Sequence, residues 1–135
     1  MKKFAFFVLP LSGCLVYADG SDPTPNSAPW FEYADAGCVW DRGYQDYVWF
    51  FDVDVSDDTG PESVQFVWAD IYDNRTGELV DSFDLQPEPG MSWYSAWVGS
   101  STFLDPGYPN YEVFFQAEDL RGEIGTTSVF PPPCL

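Results

Sequence analysis

The chain contains no histidine, and its only two lysines are Lys2 and Lys3. Histidine is the usual general base of hydrolases and the commonest zinc and copper ligand, so its absence excludes Ser-His-Asp and Cys-His catalysis. After residue 18 the only basic side chains are Arg42, Arg75 and Arg121, which face 22 carboxylates and give a formal charge of −19. This balance excludes the basic footprint that nucleic-acid binding requires and disfavours an anionic membrane surface as a partner.

The sequence also lacks a helical pattern, because no window places apolar residues at i, i+3, i+4 and i+7 over the length of a helix. Of the 135 residues, 45% are hydrophobic and 19% aromatic, which favours one folded domain over a disordered chain. Short apolar runs separated by turn residues predict seven strands. These are Trp30–Val39, Tyr47–Val55, Ser63–Tyr72, Glu78–Leu85, Met91–Gly99, Tyr111–Glu118 and Ile124–Phe130. The spacing predicts an all-β fold, a single antiparallel β-sandwich.

The N-terminus has the order of an export signal: two lysines, an apolar run, and then Leu11-Ser12-Gly13-Cys14. This ending resembles the lipobox of bacterial lipoproteins, which implies that residues 1–13 are a signal peptide and that Cys14 is lipidated. A rival cleavage after Ala18, at Val16-Tyr17-Ala18, would instead release a secreted protein that begins at Asp19. An uncleaved anchor and a misassigned start codon are the remaining alternatives.

The segment 14–29 is rich in Pro, Ser and Asp and has no periodicity, so we expect a flexible tether before a domain at 30–135. The lipoprotein resemblance implies the cell envelope as location, in the outer membrane and facing either the periplasm or the surface. A membrane contact through the lipid on Cys14 is the corresponding partner.

Once Cys14 is lipidated or cleaved away, Cys38 and Cys134 remain as an even pair in an oxidising compartment. We therefore predict a disulfide between them that ties the first strand to the C-terminus. Two unpaired buried thiols are the alternative.

The segment Leu104–Gly122 resembles the sixth-strand region of fibronectin type III and related immunoglobulin-like domains, with a leucine, a Pro-Gly turn, a tyrosine and alternating apolar residues. The resemblance implies a seven-stranded immunoglobulin-like sandwich. It places Tyr111 at the tyrosine corner, where the hydroxyl bonds to backbone a few residues upstream.

Several carboxylates lie at the end of the second strand and in the acidic turn after it, within Asp52–Gly60, and oxygen ligands of this kind could hold calcium. The turn lacks the glycine and glutamate positions of an EF-hand, because Asp57 and Ser63 occupy them when counting starts at Asp52. Asp119 could join such a site only if its loop lies at the same end of the sandwich. We expect no metal and no cofactor, since outward-facing aspartates are solvated without one.

Acid pairs suitable for glycoside hydrolysis are too abundant to mark a site, so we expect no enzymatic activity. The aromatic residues are more informative, because the runs Tyr47–Phe51, Phe66–Trp68 and Trp93–Trp97 place large apolar groups on both faces of a strand. Only one face meets the core, so the other needs a loop, a protein partner or a sugar ring. The sequence thus predicts a non-catalytic structural or binding module for an envelope protein or glycan. A carbohydrate-binding module that uses exposed aromatics is the alternative.

Overall fold

A computed structural model describes residues 27–134, and every regular element in that range is a β-strand except two short 3-10 turns, Pro61–Ser63 and Gly99–Ser101. The strands are β1 (Trp30–Asp41), β2 (Asp46–Ser56), β3 (Val64–Asp73), β4 (Leu79–Asp84), β5 (Gln86–Pro87), β6 (Ser92–Val98), β7 (Tyr111–Asp119) and β8 (Ile124–Val129). In this part of the chain no helix is long and apolar enough to cross a bilayer. The predicted signal peptide, Cys14 and the tether up to residue 26 lie outside the described residues.

The strands form two antiparallel four-stranded sheets. Sheet 1 has the order β1-β2-β6-β5, and sheet 2 has the order β4-β3-β7-β8. All seven predicted strands are present, each with ends within about two residues of the expected ones. The strands β3 and β4 form a hairpin: Gly77, at φ 78°, lies in the turn, and its N–H donates to the carbonyl of Asp73.

The predicted count of seven strands is wrong, because Gln86–Pro87 forms an eighth, two-residue strand. It pairs with Tyr94 and Trp93 at the edge of sheet 1. Its proline has no N–H to donate to a neighbouring strand. At an edge, however, one side of the strand needs no donor, so a short proline-containing strand is tolerated.

The core lies between the two sheets, and the side chains of β2 alternate between this core and the outer face. Trp49, Phe51, Val53 and Val55 are buried, and the residues between them are only partly buried. The Phe51 ring stacks on Phe83 of β4 at 5.2 Å between centroids. The Trp49 ring meets the ring of Tyr111 on β7 edge-on, with 6.0 Å between the centroids. Such interdigitated aromatic pairs stabilise the contact between sheets beyond the area they bury.

The β1 and β8 strands approach each other and close one side of the sandwich. A Cβ at Gly125 would collide with the carbonyl oxygen of Pro29, so only glycine allows this approach. The C-terminal segment continues across the same side, where the Cys134 N–H donates to the Pro106 carbonyl at 3.0 Å. The predicted disulfide between Cys38 and Cys134 is present, with Cα atoms 5.1 Å apart.

Candidate functional site

The outer face of sheet 1 carries a band of apolar side chains across three strands. We call it the apolar strip: Val39, Val48, Phe50, Ala96 and Val98. Val48 pairs with Val39 of β1 and with Val98 of β6, and Phe50 pairs with Ala96 in the next row. Since side chains alternate between faces, these residues point away from the core that their strand neighbours fill. Val39 keeps 55% of its surface exposed.

Phe50 lies flat across the strip because its cross-strand partner on β1 is Gly37. A Cβ placed on Gly37 would come within 2.7 Å of the Phe50 Cζ atom. The missing side chain therefore makes room for the ring to lie against the backbone of β1. This contact leaves Phe50 half-buried.

The next two rows of the same face are acidic. We call them the acidic patch: Asp35, Asp52 and Asp54, with Tyr33 and Tyr94 beside them. Asp35 lies directly opposite Asp52, which is in turn opposite Tyr94. In the adjoining row, Asp54 accepts a hydrogen bond from the Ser92 hydroxyl at 2.6 Å. Like charges opposite each other on one face destabilise a sheet, so this face holds unfavourable electrostatic energy.

The pKa values reflect this repulsion. Partial burial raises the pKa of Asp52 above its usual value, and the negative charges of Asp54, Asp35 and Glu88 raise it further. The charge of Asp35 is also the main cause of the raised pKa of Tyr33, whose hydroxyl lies 3.4 Å from that carboxylate. The negative charges of this face thus contribute to both shifts.

The outer face of sheet 2 holds a shallow groove of about 430 Å³. Its floor includes Tyr72 and Phe114, whose rings meet edge-on at 5.4 Å. Gln116 is fixed beside them, because its Nε2 donates to the carboxylate of Asp70 at 2.7 Å. An aromatic floor with an oriented amide is a general arrangement for binding small polar ligands.

Four tryptophans belong to the aromatic runs Tyr47–Phe51, Phe66–Trp68 and Trp93–Trp97, and two of them are buried. Trp49 and Trp93 are buried in the core, at 2% and 8% exposure. Trp97 is 38% exposed, but its ring packs 5.2 Å from Phe83 at an open end of the core. Trp68 is half-buried on the outer face of sheet 2. The structure therefore has no flat, fully exposed tryptophan platform among these four.

The acidic turn lies at the same end of the sandwich as the loop of Asp119, because the Leu120 N–H donates to the Ser63 carbonyl at 2.9 Å. Asp57 is buried, and its Oδ1 accepts from the N–H and the hydroxyl of Thr59. The Oδ1 of Asp119 accepts from two backbone N–H groups of its own loop. These carboxylates thus serve as acceptors within turns. Between residues 27 and 134 no three acidic, histidine or cysteine side chains are grouped so as to hold a metal.

The acidic turn also holds the start of the described chain. The Ser27 N–H donates to Asp58 Oδ2 at 3.0 Å, and this bond is the main cause of the lowered pKa of Asp58. Pro29 is buried. Ordered contacts therefore begin before Trp30, where the sequence suggested that the domain starts.

No family model matches this chain, and no curated protein matches it. Among solved structures, the crystal structure of an engineered protein is similar at 18% identity and a TM-score of 0.45. The match covers 87% of this chain and 21% of that one, so this chain spans about a fifth of its length. At this level the likeness supports no conclusion about function.

Proposed function

We propose that this protein is an exported, lipid-anchored cell-envelope protein whose β-sandwich is a non-catalytic module that binds another protein. The observation that carries the proposal is the apolar strip on sheet 1, which is solvent-exposed and bounded by carboxylates. Contiguous apolar patches with a polar rim are typical of protein-binding surfaces. Asp41 and Asp46 face each other at one end of the strip, and the acidic patch lies at the other end.

An immunoglobulin-like domain of the fibronectin type III kind is the fold that we propose for this module. Two observations support it. The orders β1-β2-β6-β5 and β4-β3-β7-β8 correspond to strands A-B-E-D and C′-C-F-G of that architecture. In addition, the Asp105 N–H donates to the Tyr111 hydroxyl at 2.8 Å, which is the hydrogen bond of a tyrosine corner.

Export is supported by the leader sequence and by the disulfide between Cys38 and Cys134, since disulfides persist in oxidising compartments. The test of anchoring is the intact mass of the mature protein, which should include a diacyl or triacyl modification on Cys14. A Cys14→Ser variant should be released or keep its leader. An unmodified N-terminus at Asp19 would contradict anchoring and leave secretion as the alternative.

Binding through sheet 1 is tested in living cells with a photo-crosslinking amino acid in place of Val39. The matched control is Leu79 on the outer face of sheet 2, which is 54% exposed against 55% for Val39. We expect one discrete crosslinked product from Val39 and none from Leu79. Equal crosslinking from both positions, or none from Val39, would contradict the proposed binding of an envelope protein.

Carbohydrate binding is the second candidate, and the groove on sheet 2 is the observation that favours it. Sugar rings stack on aromatic side chains and exchange hydrogen bonds with fixed amides, which Tyr72, Phe114 and Gln116 provide. Calorimetric titration with the host's neutral envelope glycans should then give binding that a Tyr72→Ala variant loses. Binding that survives this change would place the sugar elsewhere.

A further inference from the structure

We infer that the outer face of sheet 1 binds a basic, partly apolar polypeptide segment, with lysine or arginine side chains over the acidic patch and apolar side chains on the apolar strip. The inference rests on the proposed function and specifies the chemistry of its partner. The two parts of the face belong to the same three strands, so one ligand can cover both.

The geometry fixes the spacing of such a ligand. Along β2 the outward residues run Val48, Phe50, Asp52 and Asp54, which are two apolar rows followed by two acidic rows. Alternate residues of a strand are about 6.8 Å apart, so the first and third rows are separated by about 14 Å. An extended segment aligned with β2 therefore needs apolar side chains at i and i+2 and basic side chains at i+4 and i+6.

The protein itself offers little to neutralise the acidic patch. Its three arginines after the leader, Arg42, Arg75 and Arg121, all lie in turns between strands. The carboxylate of Asp35 lies opposite that of Asp52, and Asp54 lies in the next row, so their negative charges repel one another. This repulsion adds to the effect of partial burial in raising the pKa of Asp52. A cation placed between them would relieve this repulsion, which gives a basic ligand an electrostatic advantage on this face.

The two tyrosines at the patch add a second reason for a basic side chain. Tyr33 and Tyr94 are partly exposed and lie in the same rows as Asp54 and Asp52. Ammonium and guanidinium groups are attracted to aromatic faces as well as to carboxylates. A lysine or arginine in these rows can therefore contact both kinds of group.

Other occupants fit this face less well. A second copy of the chain carries the same acidic patch and a formal charge of −17, or −19 without the leader, so its approach is repelled. Nucleic acid and anionic lipid have the same sign of charge as the patch. A neutral glycan would cover the strip and leave the carboxylates unpaired. A basic polypeptide is the class that satisfies both the apolar and the acidic parts.

The probe for the test is a fluorescent heptapeptide, Val-Ser-Leu-Ser-Lys-Ser-Lys. In an extended conformation its first, third, fifth and seventh side chains face the sheet and match the four rows. A second peptide, Val-Ser-Lys-Ser-Leu-Ser-Lys, has the same composition with the middle rows exchanged. Anisotropy titrations of the purified mature protein should show at least about fivefold weaker binding of the exchanged peptide, because one lysine then lies on the strip. Equal affinities would overturn the inference.

The protein variant for the same assay is Asp52→Asn with Asp54→Asn, which removes two charges and keeps similar shapes. Its matched control is Asp84→Asn with Glu118→Gln, which removes two charges from the outer face of sheet 2. The first pair should weaken binding about three- to tenfold, while the control pair changes it less than twofold. Equal losses in both would show attraction to net charge alone and overturn the inference.

The proposed function and the proposed basic partner are contradicted by different results. If the Val39 crosslink forms in cells but the peptides bind without regard to row or patch, the binding face stands and its basic partner is wrong. If the peptides discriminate as expected but no crosslink forms from Val39, the chemistry of the face stands and the envelope-binding function is wrong.

Correct folding of the Asp52→Asn, Asp54→Asn variant is checked by its unfolding curve.

Discussion

The disulfide between Cys38 and Cys134 gives the largest single stability effect that the structure predicts, and the Cys38→Ala, Cys134→Ala double variant removes it. The bridge links residues 96 positions apart, one on β1 and one in the C-terminal segment. Its main effect is on the unfolded chain, because the crosslink prevents nearly the whole domain from extending.

The chain-entropy relation gives the magnitude. For a closed loop of about 97 residues the lost entropy corresponds to about 4.7 kcal/mol at 25 °C. Since domains of this size have free energies of unfolding of about 5–15 kcal/mol, the double variant should be marginally stable. The two alanines also remove the sulfur atoms that pack against the core at Cys134 and Cys38, which adds a smaller loss.

Urea unfolding followed by tryptophan fluorescence measures the effect, with oxidised and reduced wild-type protein beside the double variant. We expect a loss of about 3–5 kcal/mol and a larger m-value, because the uncrosslinked unfolded state exposes more surface. Reduced wild type should resemble the double variant. A loss below about 1 kcal/mol with an unchanged m-value would refute the reasoning that the bridge acts on the unfolded chain.

Three further results are expected. Asp52→Asn should raise the free energy of unfolding at pH 7 by about 0.5 kcal/mol in urea titrations, because the pKa of Asp52 is raised in the folded state and its ionisation therefore disfavours folding. This gain should vanish near pH 3, where Asp52 is protonated in both the folded and the unfolded state. Gly37→Ala should lower the free energy of unfolding by about 1–2 kcal/mol because it displaces the Phe50 ring, and an added Phe50→Val should restore most of it. Calcium should raise the melting temperature no more than magnesium at equal ionic strength; a calcium-specific rise lost in Asp57→Asn, Asp58→Asn would contradict this.

The core and its strands could be predicted because they depend on a local pattern. The alternation of Trp49, Phe51, Val53 and Val55 in one strand marks the inward face before any partner is known. Turn residues such as Gly77 mark where strands end. These signals depend on neighbours in sequence, so one chain is enough to recognise them.

The eighth strand was missed because its signal is not local. Gln86 and Pro87 have neither the length nor the alternation of a strand, and they adopt extended pairing only because β6 passes beside them. Proline content correctly marks a place where a continuous strand ends, but it does not exclude two residues at an edge.

The acidic patch was only half visible in the sequence. The outward direction of Asp52 and Asp54 follows from alternation along β2, but the position of Asp35 opposite Asp52 depends on the register of β1. That register is set by the turn at 42–45, because the pairing continues without a shift from Asp41 opposite Asp46 to Tyr33 opposite Asp54. Strand ends predicted to within about two residues do not determine such a turn. A search for acidic residues at outward positions of both neighbouring strands would have suggested the cluster, but not which residues lie opposite each other.

The stability of this protein and its proposed binding face are connected through β1. That strand carries Asp35 and Val39 on the outer face, and Cys38 between them holds it to the C-terminus. Carboxylates in opposed positions reduce the stability of sheet 1, and the exposed part of the apolar strip contributes nothing to folding unless a partner covers it. The disulfide and the aromatic core offset both losses, so the outer face does not itself have to stabilise the fold. A sandwich stabilised from its interior and its ends can therefore keep an electrostatically unfavourable surface whose repulsion a basic partner would relieve.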